Sequence, residues 1–141
     1  MQLSRLRPLT GQRLLVVLMM LVAGTGVVHA QDTSPQALLQ QYAQEAGSPG
    51  QATRGQAFFL AKHGQRWRCA SCHQANPLTQ GQHAATGKTI APLAPAANAE
   101  RFTRVAKAEK WFKRNCNDVL QRACTPQEKA DVLAWLTGLQ P

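Results

Sequence analysis

Residues 69–73 read Cys-Ala-Ser-Cys-His, and this Cys-x-x-Cys-His motif constrains the fold of the chain more than any other feature. In such a motif the two thiols bond a porphyrin covalently, and the adjacent histidine ligates the iron on the proximal side. A thioredoxin-like dithiol would need a βαβ pattern around it, which is missing, and a zinc site would need two further ligands from the other cysteines and histidines. The motif therefore predicts one covalently attached haem c, bound through Cys69, Cys72 and His73.

The motif does not specify which residue, if any, occupies the sixth coordination position of that iron. Ordinary electron-transfer cytochromes c supply a methionine sulfur there. The only methionines of this chain are Met1, Met19 and Met20, and all three lie in an N-terminal segment that we expect to be removed. The mature chain therefore cannot be a His/Met cytochrome, and its distal ligand must be a different residue or none.

Residues 1–30 have the pattern of a secretory signal peptide. Three arginines precede the unbroken apolar run Leu14–Val22, and Val28-His29-Ala30 is a small-x-small cleavage site. The apolar run is about half the roughly 20 residues that a spanning helix needs, which favours cleavage over a permanent anchor. We expect a periplasmic protein without stable membrane insertion, whose mature monohaem domain covers residues 31–141.

Export also determines the charge of the mature chain. Three of the sixteen Lys and Arg residues and none of the seven acidic residues lie in the first thirty positions, so cleavage lowers the net charge from +9 to +6. Two ionised haem propionates lower it further, to about +4. This balance favours acidic partners such as another redox protein. We expect no nucleic-acid partner, because the chain is exported and has no basic–aromatic binding motif.

Cys116 and Cys124 are most simply explained as a disulfide, because disulfides persist in exported proteins. In the chain-entropy model a loop of this length stabilises the fold by roughly 2.5 kcal/mol. The bond is either a plain structural link or a brace that holds the neighbours of Cys116 at a defined distance from the iron.

Helix signals divide the mature chain, whereas no period-two strand pattern is convincing. The predicted helices run from Ser34-Pro35 to Gly47, over about 53–62, from about 98 to 120, and from a capping box at Thr125 to Gly138. Gly55 and Phe59 resemble the pattern in the first helix of class I cytochromes c. A Gly- and Pro-rich stretch over about 74–97 predicts a long haem-wrapping loop. We expect an all-α, class I cytochrome c-like single domain with an extra N-terminal helix.

Chemistry alone leaves several candidates for the distal position. His63 follows the second helix and is expected in solvent on the proximal side, whereas His83 lies in the loop and is able to reach the distal face. A lysine must first lose a proton, which makes it a minor candidate. The amide oxygen of Asn115 or Asn117 is a hard, weak-field donor that suits Fe(III) better than Fe(II). Such a ligand would leave on reduction and open a ferrous site to O₂, NO or CO. His83 and the two asparagines stay open on these grounds.

Several uncommon segments together resemble the sphaeroides haem protein family over nearly the whole mature chain. They are Thr86-Gly87-Lys88, Ile90-Ala91-Pro92-Leu93-Ala94-Pro95, Arg101-Phe102-Thr103, Glu109-Lys110-Trp111, Arg114-Asn115-Cys116-Asn117, Cys124-Thr125-Pro126 and Glu128-Lys129-Ala130-Asp131. The resemblance implies a high-spin monohaem cytochrome c with His73 as proximal ligand and Asn115 as distal ligand. It also implies a Cys116–Cys124 disulfide, and an asparagine that is bound in the ferric state and displaced in the ferrous state.

The same resemblance implies transient oxygen binding, with electrons from a dihaem cytochrome c and a membrane cytochrome b. The expected function is one-electron transfer coupled to O₂ or NO binding at a ferrous site gated by Asn115. A low-spin bis-His carrier without ligand chemistry and an NO or O₂ oxidoreductase are the alternatives. Whether the protein is an enzyme therefore stays open at this point.

Several other features of the sequence each allow two interpretations. The basic segment Lys62–Arg68 around Trp67 is either a solvated loop or a patch for an acidic cytochrome. Trp111 shares a helical face with Asn115, so it either walls the distal pocket or packs in an ordinary core. The apolar segment 90–95 is expected to form a floor over the haem edge. Lys88 is either exposed or paired with a propionate.

Overall fold

The computed structural model describes residues 33–64 and 66–141, so the predicted signal peptide lies outside the described residues. The elements in this part of the chain are α1 (Pro35–Ala46), α2 (Ala52–Leu60), α3 (Ala70–His73), β1 (Gly81–Gln82), β2 (Thr89–Ile90), α4 (Val105–Leu120) and α5 (Pro126–Gly138). The predicted helical framework, including the extra N-terminal helix, is confirmed. Within the described ranges, no helix combines the length and apolar character needed to cross a membrane.

The ends of α1 and α5 lie where local signals predict them. The Ser34 hydroxyl accepts the Ala37 N–H at 3.1 Å, and Gly47, with φ of 69°, closes α1 in the left-handed conformation. At α5 the Thr125 hydroxyl accepts the Glu128 N–H at 3.2 Å, and the Glu128 carboxylate accepts the Thr125 N–H at 2.8 Å. The predicted capping box is therefore confirmed.

Two predictions about local structure are wrong. The loop after the motif contains a two-stranded antiparallel sheet, in which Gly81 pairs with Ile90. Its strands are two residues long, which is too short for an alternating pattern to show in the sequence. In addition, α4 begins at Val105 rather than near residue 98, because the preceding segment forms turns. One of them places Phe102 at φ of 60°, a left-handed conformation that cannot continue an α-helix.

The crossing of α2 and α5 forms one half of the core. A Cβ on Gly55 would lie 1.9 Å from the carbonyl oxygen of Asp131, so the two backbones touch and only glycine fits. One turn later the Phe59 ring lies 4.9 Å from the Trp135 ring, and both pack in a buried cluster with Val132 and Leu136. The glycine–aromatic pattern seen in the sequence thus has the packing role that the class I resemblance implied.

A second buried cluster joins α1, α4 and α5 through side chains: Leu38, Tyr42, Ala108, Ala130 and Leu133. Phe112 of α4 packs edge-on against the Tyr42 ring at 5.7 Å. A polar group is tied into the same region, because the Tyr42 hydroxyl donates to the Glu109 carboxylate at 2.6 Å. Lys129 of α5 also donates to Glu109, at 2.7 Å. These contacts attach the first half of α4 to the rest of the molecule.

Candidate functional site

A cavity of about 830 Å³ is lined by residues of α2, α3, α4 and α5 and of the loop between α3 and α4. Its size lies toward the upper end of the roughly 300–1,000 Å³ that is common for small-molecule and cofactor sites. Cys69, Cys72 and His73 all line it, and so do apolar side chains from both core clusters. The structure therefore brings the three residues of the motif together at a space suited to a large, mostly apolar group.

His73 ends α3 with its Nδ1 buried and without a hydrogen-bond partner among the described residues. Burial, followed by the positive charge of nearby Arg101, lowers the pKa of His73 to about 4. The ring is therefore neutral near pH 7, which is the state that ligates a metal. A buried polar atom without a partner costs roughly 1–3 kcal/mol, and such a cost is expected where the ring has a ligating role.

The remaining cysteine chemistry also fits a haem. Cys69 and Cys72 form no disulfide, so both sulfur atoms are available for the covalent bonds to a haem. Cys116 and Cys124 are joined by a disulfide with Cα atoms 5.5 Å apart, so neither is available to complete a zinc site. In the parts of the chain that the structure covers, no group of three or more His, Cys, Asp or Glu residues is arranged to hold a metal ion. The residues present thus fit the covalent haem of the motif rather than the zinc alternative.

The loop after the motif folds back onto α3. A Cβ on Gly81 would lie 2.1 Å from the Cys72 carbonyl oxygen, so this glycine permits a backbone contact that a larger residue would block. The buried Pro77 carbonyl accepts the N–H groups of Leu93 and Ala94 at 2.9 and 3.0 Å. These bonds place Ile90 and Leu93 in the cavity lining, which is the position expected for the apolar floor.

The lining of the cavity distinguishes among the candidate distal ligands that the sequence offers. His63 is not among its lining residues, because its ring stacks on Phe58 and its Nε2–H donates to the Phe58 carbonyl at 2.6 Å. Asn117 is exposed and likewise absent from the lining. His83 and Asn115 both line the cavity, and so do Lys88 and Lys107, which stay minor candidates because a lysine must first lose a proton.

His83 is already engaged through one ring nitrogen. Its Nδ1 accepts the Thr86 N–H at 3.3 Å and lies 3.0 Å from the Thr86 hydroxyl. In the neutral ring the proton must then be on Nε2, and a protonated nitrogen cannot ligate iron. The next residue, Ala84, donates its N–H to the Cys72 sulfur at 3.4 Å, so His83 lies beside the covalently attached edge of the site.

Arg101 is a cavity residue that reasoning from the sequence missed. Its Nε donates to the Pro92 carbonyl at 2.8 Å and one Nη to the Ala91 carbonyl at 2.6 Å, while burial lowers its pKa. None of the ion pairs among the described residues includes it. A half-buried, unpaired cation in a cofactor cavity suits a carboxylate of the cofactor better than the exposed Lys88 does.

Trp111 lines the cavity while 41% of it is exposed, so the interpretation as an ordinary core tryptophan is wrong. The Arg114 guanidinium lies 5.6 Å from its ring centre, within the range of a cation–π contact. Trp67 and Arg68 of the basic segment line the cavity as well, and Arg66 stacks on Trp67 at 4.8 Å. Both tryptophans therefore border the site.

Comparison with characterised proteins gives two similar relatives. The chain is 47% identical over 127 residues to the cytochrome c-type protein SHP of Cereibacter sphaeroides, covering 87% of this chain and 96% of that protein. It is 46% identical over 88 residues to cytochrome c'' of Methylophilus methylotrophus, covering 60% of this chain and 61% of that protein.

Solved structures of the same two proteins share the fold. Oxidised SHP, an oxygen-binding cytochrome c, superposes with a TM-score of 0.72 at 49% identity, covering 77% of this chain and all of that one. Oxidised cytochrome c'' superposes with a TM-score of 0.71 at 37% identity, covering 76% of this chain and 95% of that one. Residues 45–136 also match the family described as domain of unknown function DUF1924. The chain therefore belongs to the DUF1924 family and, with SHP, to the sphaeroides haem proteins, c-type cytochromes with a single covalently bound haem.

Proposed function

We propose that the protein is a periplasmic cytochrome that carries one electron and binds O₂ or NO at its ferrous iron, with Asn115 as a redox-gated ligand. The observation that carries the proposal is that Asn115 lines the same cavity as His73 and immediately precedes the disulfide-bonded Cys116. Of the relatives, SHP is an oxygen-binding cytochrome c, and the solution structure of cytochrome c'' concerns haem-ligand detachment. Both support an iron site whose ligand is exchangeable.

The haem, bound through Cys69, Cys72 and His73, supplies a one-electron couple and an iron able to bind a diatomic gas. His73 presents a neutral ring because its pKa is lowered to about 4. Arg101 is proposed to pair with a propionate, since two of its nitrogens are fixed on backbone carbonyls and the rest of its fork is left for an anion. Together, these residues would hold and orient the haem in the cavity.

Asn115 is suited to gating because its backbone is fixed while its side chain is not cross-linked. The disulfide at Cys116 ties the end of α4 to the start of α5, which restrains the backbone beside Asn115 and leaves the amide free to rotate. With haem bound, its hard amide oxygen would suit ferric iron better than the softer ferrous iron. Reduction would therefore favour release of Asn115 and leave the iron able to take O₂, NO or CO.

A bis-His carrier is the second candidate, because His83 also lines the cavity. It requires His83 to give up the Thr86 contact at Nδ1 or to lose the proton on Nε2. An oxidoreductase that turns over O₂ or NO is the third candidate. Sustained consumption of the gas would distinguish such an enzyme from an electron carrier. Electrons for either are proposed to come from partner cytochromes, such as a dihaem cytochrome c or a membrane cytochrome b.

Optical spectra of the holoprotein, ferric and ferrous, with and without CO, test the proposal. We expect high-spin ferrous haem that takes up CO, and a ferric spectrum that changes in Asn115→Ala. Asn117→Ala is the matched control, because it removes an exposed amide from the same helix turn, and its spectra should equal the wild type. Low-spin spectra that are unchanged by CO and by Asn115→Ala, but change in His83→Ala, would contradict the proposal and support the bis-His carrier.

A further inference from the structure

A charged and aromatic cluster holds the first half of α4. The two carboxylate oxygens of Glu109 accept hydrogen bonds from the Lys129 ammonium at 2.9 and 2.7 Å, and the Tyr42 hydroxyl donates to the same carboxylate at 2.6 Å. The Lys129 nitrogen also lies 5.0 Å from the centre of the Tyr42 ring and 5.8 Å from that of the Phe112 ring, within cation–π range. The cluster therefore joins α1, α4 and α5 through directional contacts.

The polar groups of this cluster are paired, although the cluster is largely enclosed. Tyr42 is fully buried, and only 15% of the Lys129 side chain is exposed. Burial, followed by the hydrogen bond to Glu109, raises the pKa of Tyr42, so its hydroxyl remains a donor. A fully paired polar network specifies one arrangement of the elements it joins, whereas apolar contacts are not directional. The cluster is therefore suited to fix where α4 lies relative to α1 and α5.

α5 connects this cluster to the proximal side of the haem cavity. Near the end of α5, Trp135 packs against Phe59 at 4.9 Å, and the Phe59 ring lies 6.3 Å from the His73 ring. Near the start of α5, Lys129 holds Glu109 of α4. One helix thus supports the proximal histidine through one contact and α4 through the other.

Two attachments to the α5 region enclose the part of α4 that lines the cavity beside the distal candidate. Glu109 is held by the ion pair, and Cys116 is held by the disulfide. Phe112 and Asn115 lie between them along the helix, and both line the cavity. In the described ranges α4 has no extensive backbone contact with another helix. These two attachments, together with apolar packing, therefore set the position of Asn115 relative to His73.

We propose that Glu109 is a positioning residue for the distal ligand, and that it acts through α4 to hold Asn115 where this side chain binds ferric iron. The proposal rests on the ligand role proposed for Asn115 above and adds a second anchor to the disulfide. Without this anchor α4 would shift, and Asn115 would bind the ferric iron less tightly. The ferrous site should not respond, because Asn115 is already released there.

Binding of imidazole to the ferric holoprotein tests the proposal, because imidazole must compete with Asn115 for the iron. We expect Glu109→Gln to raise the imidazole affinity about fivefold in an optical titration, the scale of one hydrogen bond. The reduction potential should rise, because the ferric form loses a ligand. The CO affinity of the ferrous form should stay unchanged. Glu45→Gln is the matched control, because it removes an exposed carboxylate whose partner, Gln41, is on its own helix.

Lys129→Met removes the other half of the ion pair and leaves Glu109 bonded to Tyr42. It should raise the imidazole affinity as well, although it changes the net charge in the opposite direction from Glu109→Gln. A shared increase therefore cannot come from long-range charge. Changes of opposite sign in the two variants would show that charge alone acts, and they would overturn the proposal. This variant also supplies the test if Glu109→Gln does not fold.

Asn115→Ala distinguishes a failure of positioning from a failure of the ligand role. We expect Asn115→Ala to raise the imidazole affinity more than Glu109→Gln does, and the double variant to equal Asn115→Ala, because Glu109 acts through Asn115. An increase caused by Glu109→Gln that is equally large with and without Asn115, or no increase at all, would show that Glu109 only stabilises the fold. Imidazole binding that is unchanged in Asn115→Ala would instead contradict the ligand role itself.

Discussion

α2 and α4 approach the haem cavity in different ways. α2 is fixed to α5 by direct backbone contact at Gly55, and the buried Phe59–Trp135 pair lies one turn beyond it. α4 makes no extensive backbone contact with another helix in the ranges that the structure describes. Continuous packing therefore supports the cavity on the α2 side, whereas α4, which carries Asn115, depends on a few side-chain attachments.

Two of those attachments are specific bonds, and Asn115 lies near the second of them. The first is Glu109, held by Tyr42 and Lys129, and the second is the disulfide at Cys116. A well-packed side suits a permanent iron ligand, because movement there would expose the cofactor. A side held at separate points suits the exchangeable ligand proposed for Asn115.

The largest effect is expected from Gly55→Ala, which attacks the backbone contact. The added Cβ would lie 1.9 Å from a carbonyl oxygen, so α2 and α5 must separate. We expect the free energy of unfolding to fall by about 3 kcal/mol, at the upper end for overpacking. Urea unfolding of the holoprotein measures it. Gly138→Ala is the control, because a Cβ there meets nothing within 4 Å, and a helical alanine should leave stability equal or up to about 1 kcal/mol higher. Equal stabilities of the two variants would contradict the described crossing.

Removing the disulfide in Cys116→Ser/Cys124→Ser should have the next largest effect. Chain entropy alone predicts a loss of roughly 2.5 kcal/mol in urea unfolding. Because Asn115 is the neighbour of Cys116, we also expect the ferric spectrum to shift toward that of Asn115→Ala. A loss of stability with an unchanged ferric spectrum would make the bond a plain structural link and remove its role as a brace.

Local signals explain which parts of the fold were predictable. Ser34, Gly47 and the Thr125 capping box lie next to the groups they satisfy, so the sequence alone marks those helix ends. β1 and β2 have no such local signal, because a strand of two residues is too short to show an alternation of apolar and polar side chains. The delayed start of α4 depends on Phe102 adopting a left-handed conformation, which is rare for an aromatic residue and is selected by tertiary packing.

The residues of the site likewise fall into those that the sequence predicts and those that it does not. The motif residues Cys69, Cys72 and His73 are readable from spacing, whereas selecting Asn115 over His83 needed the family resemblance. Arg101 was missed because its significance comes from being half-buried at a cavity, and the burial of one charged residue is not encoded locally. The role of Trp111 likewise follows from exposure, which a helical spacing cannot distinguish from a core position.

Asp131 makes the α2 side sensitive to acid. Its carboxylate accepts the Gln51 N–H at 2.7 Å and two Arg54 nitrogens at 2.8 Å. Burial alone would raise the pKa of Asp131, but these hydrogen bonds outweigh it and lower the pKa below its ordinary 3.8. The stabilisation is therefore complete above the ordinary pKa and is lost as pH falls through the lower, folded value.

Asp131→Asn should accordingly cost about 2 kcal/mol at pH 7, the range for hydrogen bonds to a charged group. Its stability should also fall less steeply than that of the wild type as the pH falls below the ordinary pKa of an aspartate. Urea unfolding across that range measures both effects. Parallel pH profiles for the two proteins would show that Asp131 does not carry this acid sensitivity.

The smallest effect on stability is expected from a substitution of Glu109. It gives the most direct test of whether the α4 side of the cavity is held differently from the α2 side. Burial would raise the pKa of Glu109, but hydrogen bonds from Lys129 and Tyr42 outweigh it and hold the pKa below its ordinary 4.5. Glu109→Gln keeps the shape and removes the charge, so it should destabilise α4 by about 1 kcal/mol. We expect amide hydrogen exchange in the first half of α4 to speed up about fivefold, with that of α5 unchanged. Tyr42→Phe, which removes one donor and leaves Lys129 paired, should do less.

Acid should reproduce the same change in the wild type. Because the folded pKa of Glu109 is depressed, its attachment persists above the ordinary value and weakens as pH falls through the folded value, whereas Glu109→Gln has no such step. Exchange that accelerates equally in α4 and α5 would mean that the two helices open as one unit. The contrast between a continuously packed side and a side held at separate points would then be wrong, and the freedom of Asn115 would have to come from its own side chain alone.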